Sequence, residues 1–461
     1  MYSFHPSILR EYDIRGIIGE TLSAKDAYAI GRSFASFNPV WKTKKPRIAV
    51  LRDGRLSSPE LEAALTRGLN DAGAEVIRLG IGPTPMLYFA VCSLELSGGI
   101  MITGSHNPPS HNGFKFMLGR KSFYGADIQQ LGKISSTSSW HEGKGGKTEK
   151  KIETDYLTVL QKGYTAKRPL KIAWDAGNGA AGEIVASICK KLPGEHITLF
   201  TDIDGTFPNH HPDPSVAKNL QDLIRTVKEK KCDLGLAFDG DGDRVGVVDE
   251  EGEILWGDQI LALMARDVLK HHPGATIIAD VKASQMLFDE VARLGGKPLM
   301  WKTGHSLIKT KMVETGALLA GEMSGHMFFA DNYYGYDDGI YAAIRMASFL
   351  ADNGEKLSTL HKSLPKTHAT PELRIACADD RKFVVIDEVK ARLKKEGAEV
   401  NDVDGVRVKT TEGWWLLRAS NTQAALVARC EASSPEGVKK LEDNLRAVLA
   451  ASGVAFQEAA H

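Results

Sequence analysis

The sequence predicts a fold of three similar mixed α/β, doubly wound units followed by a smaller α+β unit. Three observations carry this expectation. Short β-branched runs alternate with amphipathic stretches of helical length, the alternation recurs three times, and the texture changes after about residue 370. In the first unit Arg47-Ile-Ala-Val-Leu51 reads as a strand, Ser58 to Ala72 as a helix opened by Ser-Pro-Glu, and Glu75-Val-Ile-Arg-Leu79 as the next strand. In the second, Leu170-Lys-Ile-Ala-Trp174 leads through the turn Asp175-Ala-Gly-Asn-Gly179 into a helix to about Lys191, and a strand follows at 233–238. In the third, strands at 274–279 and 316–320 flank a helix from Ser284 to Leu294. Such alternation implies parallel strands with helices on both faces. Beyond 370, the runs 406–410, 414–418 and 424–430 read as an antiparallel meander before a last helix, Pro435 to Ala451. Boundaries fall at the polar stretch 135–150, the turn Glu250-Glu-Gly252 and Ser363-Leu-Pro365, giving units 1–150, 151–252, 253–367 and 368–461.

Composition excludes several function classes. With 461 residues the chain is too long for one ordinary core. Its 58 basic and 58 acidic residues balance, so no electrostatic footprint for nucleic acid or an anionic membrane is present, and any attraction for phosphate must be local. No apolar run reaches the length of a spanning helix, and Met1-Tyr-Ser-Phe-His-Pro6 lacks the pattern of a secretory signal. Five scattered cysteines without a Cys-x-x-Cys pair read as reduced thiols, which points to the cytoplasm.

Two segments carry chemistry. Asp239-Gly-Asp-Gly-Asp-Arg244 places three carboxylates at alternate positions of a glycine-loosened turn, an all-oxygen donor set suited to Mg²⁺ and lacking the His or Cys that zinc favours. A solvated turn is the bland alternative, and the turn is expected to be exposed. A calcium loop is rejected: Asp239, Asp241, Asp243 and Glu250 fit its positions one, three, five and twelve, but Arg244 stands where the sharp turn needs glycine. The second segment, Thr103-Gly-Ser-His-Asn-Pro-Pro109, places the Ser105 hydroxyl between a glycine and an imidazole in an irregular loop. Together they suggest phosphoryl transfer through Ser105, whose phosphate could fill a position on the cation.

These motifs, with Glu11-Tyr-Asp-Ile-Arg-Gly16, Asn112-Gly-Phe-Lys115, Gly321-Glu-Met-Ser-Gly-His326 and Arg418-Ala-Ser-Asn-Thr422, stand in the order seen in α-D-phosphohexomutases. Over essentially its whole length the chain most resembles their bacterial phosphomannomutase/phosphoglucomutase group. The resemblance implies four domains around one cleft, the fourth mobile, a monomer as family precedent, and glucose and mannose phosphates as substrates. It implies that Ser105 is a phosphoserine that exchanges phosphate with the sugar through glucose 1,6-bisphosphate, that Asp239, Asp241 and Asp243 hold Mg²⁺, and that Arg244 clamps phosphoryl oxygens. Lys115, His326 and Arg15 stand near the proton transfers. His326 is the more natural general base because imidazole titrates in the useful range. His106, Tyr12 and Arg15 are read as positioning the serine loop. Arg418, Ser420, Asn421 and Thr422 resemble the distal phosphate clamp, Glu322 and Ser324 the grip on sugar O3 and O4, and Lys282 and His305 face the same sugar. A phosphoglucosamine mutase is the alternative within enzymes, against which Thr103-Gly-Ser105 and Met323 speak. A non-catalytic sugar-phosphate binder is the alternative outside them, which would not need Ser105.

Overall fold

The computed structural model describes residues 1–421 and 423–456. One four-stranded arrangement occurs three times in it. Arg47–Arg52 lies between Glu75–Ile81 and Gly98–Ile102, parallel to both, and His111–Leu118 pairs antiparallel with Gly98–Ile102. Leu170–Asp175 likewise lies between Gly194–Leu199 and Leu234–Phe238, with Val245–Asp249 antiparallel beyond. Thr276–Asp280 lies between Lys297–Trp301 and Leu319–Gly321, with Met327–Phe329 antiparallel beyond. The alternation in the sequence implied the three parallel strands. The reversed fourth strand in each sheet departs from that expectation, because antiparallel return needs only a short loop and leaves no helical stretch to read.

That reversal matters for the site. In each unit the chain leaves the third strand, makes a loop at the same end of the sheet and returns as the fourth. Residues 103–110, 239–244 and 322–326 occupy these three equivalent loops. The last unit differs: Ala425–Ala432, Gly413–Ala419, Val406–Lys409 and Val400–Asn401 form an antiparallel sheet, extended by His368–Ala369 and Leu373–Ala376. Its final helix, Pro435–Ala450, begins where Ser434 Oγ accepts from Gly437 N–H at 3.1 Å and proline occupies the first turn.

Apolar packing welds the first three units together. One continuous core joins Leu87 and Met101 of the first unit to Trp174 and Phe238 of the second and Leu263 and Ile340 of the third. The helix Gly339–Asn353, buried along nearly its whole length, threads this core and is capped by Asp338, which accepts from Tyr341 N–H at 2.9 Å. The fourth unit keeps its own core, from Leu373 to Leu449. It meets the third through a small apolar cluster of Val281, Trp414 and Leu416, and through Arg407, whose guanidinium lies 3.6 Å from the Trp414 ring centre and donates to the carbonyls of Val281 and Ala283. The five cysteines are free, with Cys92, Cys232 and Cys430 buried. Among the described residues no helix is long and apolar enough to cross a membrane.

Candidate active site

The three equivalent loops converge. Ser105 leaves the strand Gly98–Ile102 in a left-handed conformation, φ +49°, that turns its hydroxyl toward the second unit. Ser105 Oγ donates to Asp239 Oδ2 at 2.9 Å and lies 3.0 Å from His106 Nδ1. The close approach depends on Gly240, where a Cβ would stand 2.3 Å from the Ser105 carbonyl oxygen. Burial first, and then Arg244 and Arg15, hold the His106 imidazole well below its ordinary range, so it is neutral beside the serine.

Asp239, Asp241 and Asp243 are fully buried, which corrects the expectation of an exposed turn. The loop is roofed by neighbouring units: Thr84 donates its backbone N–H to the Asp241 carbonyl at 2.8 Å and hydrogen-bonds the Asp241 carboxylate, and Val245 N–H donates to Gly325 O at 3.0 Å. One ligand atom from each aspartate lies within 4.8 Å of the others. Burial, then Asp241 and Asp243, push the Asp239 carboxyl well above its ordinary range. Three carboxylates so confined call for a cation. Asp241 Oδ1 is buried without a hydrogen-bond partner, and the donor set is all oxygen, so the residues fit Mg²⁺.

Lys115 supplies part of that charge. Its Nζ donates to Asp241 Oδ2 at 2.7 Å and to Asp243 Oδ2 at 2.5 Å, and although burial opposes the ammonium, the aspartates outweigh it and raise the group. His326, from the third loop, lies with Nε2 3.2 Å from Asp243 Oδ1 and Nδ1 3.2 Å from Glu322 Oε2, while Ser324 Oγ stands 2.9 Å from Nδ1. Burial would lower its imidazole, but Asp243 lifts it to about 9, so His326 carries a proton at neutral pH. Arg244 Nε lies 3.4 Å from His326 Nε2 and 4.0 Å from Asp239 Oδ2.

The remaining predicted residues lie around this centre. Arg15 donates to Asn107 Oδ1 at 2.7 Å within the serine loop and to Asp13 at 2.5 Å. Tyr12 does not reach the serine loop. Its hydroxyl donates to the Thr303 carbonyl at 2.8 Å and accepts from Asn421 Nδ2 at 2.6 Å, so it ties the first unit to the third and fourth. His305 stacks on His326 with ring centres 5.6 Å apart. Lys282 Nζ donates to Glu372 at 2.9 Å. Arg418 Nε donates to Asp404 Oδ2 at 2.9 Å, and Ser420 Oγ accepts from Gln423 N–H at 3.2 Å. Thr422 lies outside the described residues.

Four participants were missed by sequence reasoning. Buried Arg55 grips the serine loop, donating to the carbonyls of Ser105, Asn107, Pro108 and His111 at 2.6–2.9 Å, with Asp53 behind it at 3.2 Å. Its only signal is Asp53-Gly-Arg55 at the end of a predicted strand. Asp337 lies between Lys309 at 2.7 Å and His305 at 3.5 Å. Thr84 roofs the aspartate turn, and Asp404 backs Arg418. None of these last three belongs to a readable motif.

Family models match the chain in order: phosphoglucomutase/phosphomannomutase α/β/α domain I over residues 6–137, domain II over 154–252, domain III over 256–368 and the C-terminal domain over 372–448. Among curated relatives, phosphomannomutase/phosphoglucomutase of Pseudomonas aeruginosa is 44% identical over 440 residues, covering 95% of each chain. Phosphoglucomutase of Neisseria meningitidis serogroup A is 46% identical over 446 residues, covering 96% of each. Among solved structures, a phosphoglucomutase/phosphomannomutase family protein from Burkholderia thailandensis matches with a TM-score of 0.92 at 44% identity, covering 99% of each chain.

Proposed function

The chain belongs to the phosphoglucomutase/phosphomannomutase family, and from that premise we propose that it moves a phosphoryl group between C1 and C6 of glucose and mannose phosphates, through phosphorylated Ser105 and a hexose 1,6-bisphosphate. The observation that carries this reading is the buried meeting of Ser105 Oγ with Asp239 at 2.9 Å, a nucleophile set against a cation-fitting turn from another unit. Direct transfer from O1 to O6 would have to span the sugar ring, whereas two transfers at one serine need only that the bisphosphate turn over between them.

Mg²⁺ on Asp239, Asp241 and Asp243 would supply charge withdrawal from the phosphoryl oxygens. Arg244 presents a planar fork to the same oxygens. As Ser105 Oγ loses its phosphoryl group it takes a proton, which Lys115 or His326 can deliver, since both are charged in this arrangement. By microscopic reversibility the same groups, once neutral, accept the proton of the attacking hydroxyl. The non-reacting phosphate sits on Arg418, Ser420, Asn421 and Thr422, and Glu322 and Ser324 hold O3 and O4 in either orientation of the bisphosphate.

A grip confined to O3 and O4 leaves O2 unread. Glucose 1-phosphate and mannose 1-phosphate therefore compete for one site with kcat/KM values within roughly tenfold, a gap of at most about 1.4 kcal/mol. Arg418→Ala weakens both substrates alike, because phosphate contacts are common to them. Steady-state kinetics with Mg²⁺ and a trace of glucose 1,6-bisphosphate test this. Absence of turnover on either sugar sinks the reading, and a preference above about a hundredfold means that a group in the pocket reads O2.

A further inference from the structure

Asp404 reaches a loop that lies 101 positions before it in the chain. One oxygen, Oδ2, accepts from Arg418 Nε at 2.9 Å and from the backbone N–H of Thr303 at 3.1 Å. The first donor lies in the fourth unit, beside the loop assigned to the non-reacting phosphate, and the second lies in the third unit. The Thr303-Gly304 pair is itself held tightly. Gly304 N–H donates to Glu322 Oε1 at 2.7 Å, and Gly304 adopts φ +131° with a Cβ position 2.6 Å from the Tyr12 ring, so no side chain fits there. Arg418 is buried and tied only through Nε: among the described residues neither of its Nη groups donates a hydrogen bond, which leaves that side of the fork open to an anion.

A polar chain thus runs from Arg418 through Asp404 to Thr303-Gly304 and on to Glu322. We propose that Asp404 is a positioning residue that couples the anion grip of Arg418 to the sugar grip of Glu322. The proposal deepens the mutase reading and rests on it. Its physical content is a conflict of signs. Asp404 shares the charge of Arg418 and so weakens attraction for phosphate alone, yet it aligns the peptide on which Glu322 rests. With its side chain only 15% exposed, Asp404 is poorly screened from Arg418.

The test compares two probes on Asp404→Asn and Asp404→Ala. Inorganic phosphate, read as a competitive inhibitor, should bind as tightly as to wild type or more so, while kcat/KM for glucose 1-phosphate falls at least tenfold. In a cycle with Glu322→Gln, the loss caused by Asp404→Asn should shrink to less than a third of its size in the wild-type background. Equal weakening of phosphate and glucose 1-phosphate would show that Asp404 only props Arg418, and losses that multiply across the cycle would show no coupling to Glu322. Either result overturns the proposal. Calorimetric titration with both probes gives the same comparison without turnover, so failure of the mutase reading is distinguishable. If Asp404→Ala does not fold by circular dichroism, the shape-preserving Asp404→Asn carries the comparison.

Discussion

Replacing Gly240 with alanine adds one methyl group between the serine loop and the aspartate turn. Its Cβ would stand 2.3 Å from the Ser105 carbonyl oxygen and 3.1 Å from the carbonyl carbon. A carbon–oxygen contact relaxes at about 3.3 Å, so one loop must retreat by about 1 Å. Neither loop can swing away cheaply. The Gly240 carbonyl accepts from Ala180 N–H at 2.9 Å, and the Ser105 carbonyl accepts from Arg55 at 2.7 Å. The position is not in the left-handed region, so alanine brings no backbone strain of its own and the effect isolates the spacing. Overpacking of this kind costs about 2 kcal/mol of stability. Under the proposed mechanism, a 1 Å error between Ser105 and the aspartate turn costs on the order of 10²-fold in kcat, about 2.7 kcal/mol of transition-state stabilisation. Steady-state turnover of glucose 1-phosphate with saturating Mg²⁺, read beside a urea titration, measures both. A variant that retained kcat within threefold of wild type would refute the claim that this contact sets the distance from Ser105 to the turn.

Three further outcomes are expected. Arg55→Lys leaves at least one of four loop carbonyls without a donor, which costs on the order of 2–4 kcal/mol in urea unfolding and lowers kcat more than it raises KM; unchanged stability would mean that water replaces the guanidinium. Asp241→Asn should not lower the Tm in EDTA, because it relieves crowding of buried carboxylates, but it abolishes the roughly 2–3 kcal/mol that wild type gains from Mg²⁺ at about 100 times Kd; equal stabilisation of the two proteins would remove Asp241 from the cation site. Lys282 foremost, with Arg374, holds the Glu372 carboxyl down to about 2 from its ordinary value of 4.5. A depressed folded value stabilises above the unfolded one and is lost as pH falls through the folded one, so Glu372→Gln should cost on the order of 2 kcal/mol at pH 7, after allowance for 29% exposure, and progressively less between pH 5 and 2. A deficit independent of pH would mean that the Lys282 contact is not electrostatic.

Strand positions were legible because they rest on local patterning. The predicted runs 47–51, 170–174 and 406–410 fall within a residue or two of Arg47–Arg52, Leu170–Asp175 and Val406–Lys409, since alternation and turn residues act over a few positions. The aspartate turn was legible for the same reason: three carboxylates within five residues are read as a candidate cation site without tertiary knowledge. Their burial was not, because it depends on Thr84 and Gly325 from other units. The charge state of His326 was likewise decided in space, by Asp243, which lies 83 positions before it in the chain. Arg55, Asp337 and Asp404 carry no motif and act through contacts with residues far along the chain, so their roles exist only once the units pack. The sequence alone determined which chemical groups are present and on which kind of element each sits. The tertiary structure decided which of them meet, how dry the meeting place is and therefore which carry charge, because desolvation and Coulomb terms depend on distance in space and not on separation along the chain.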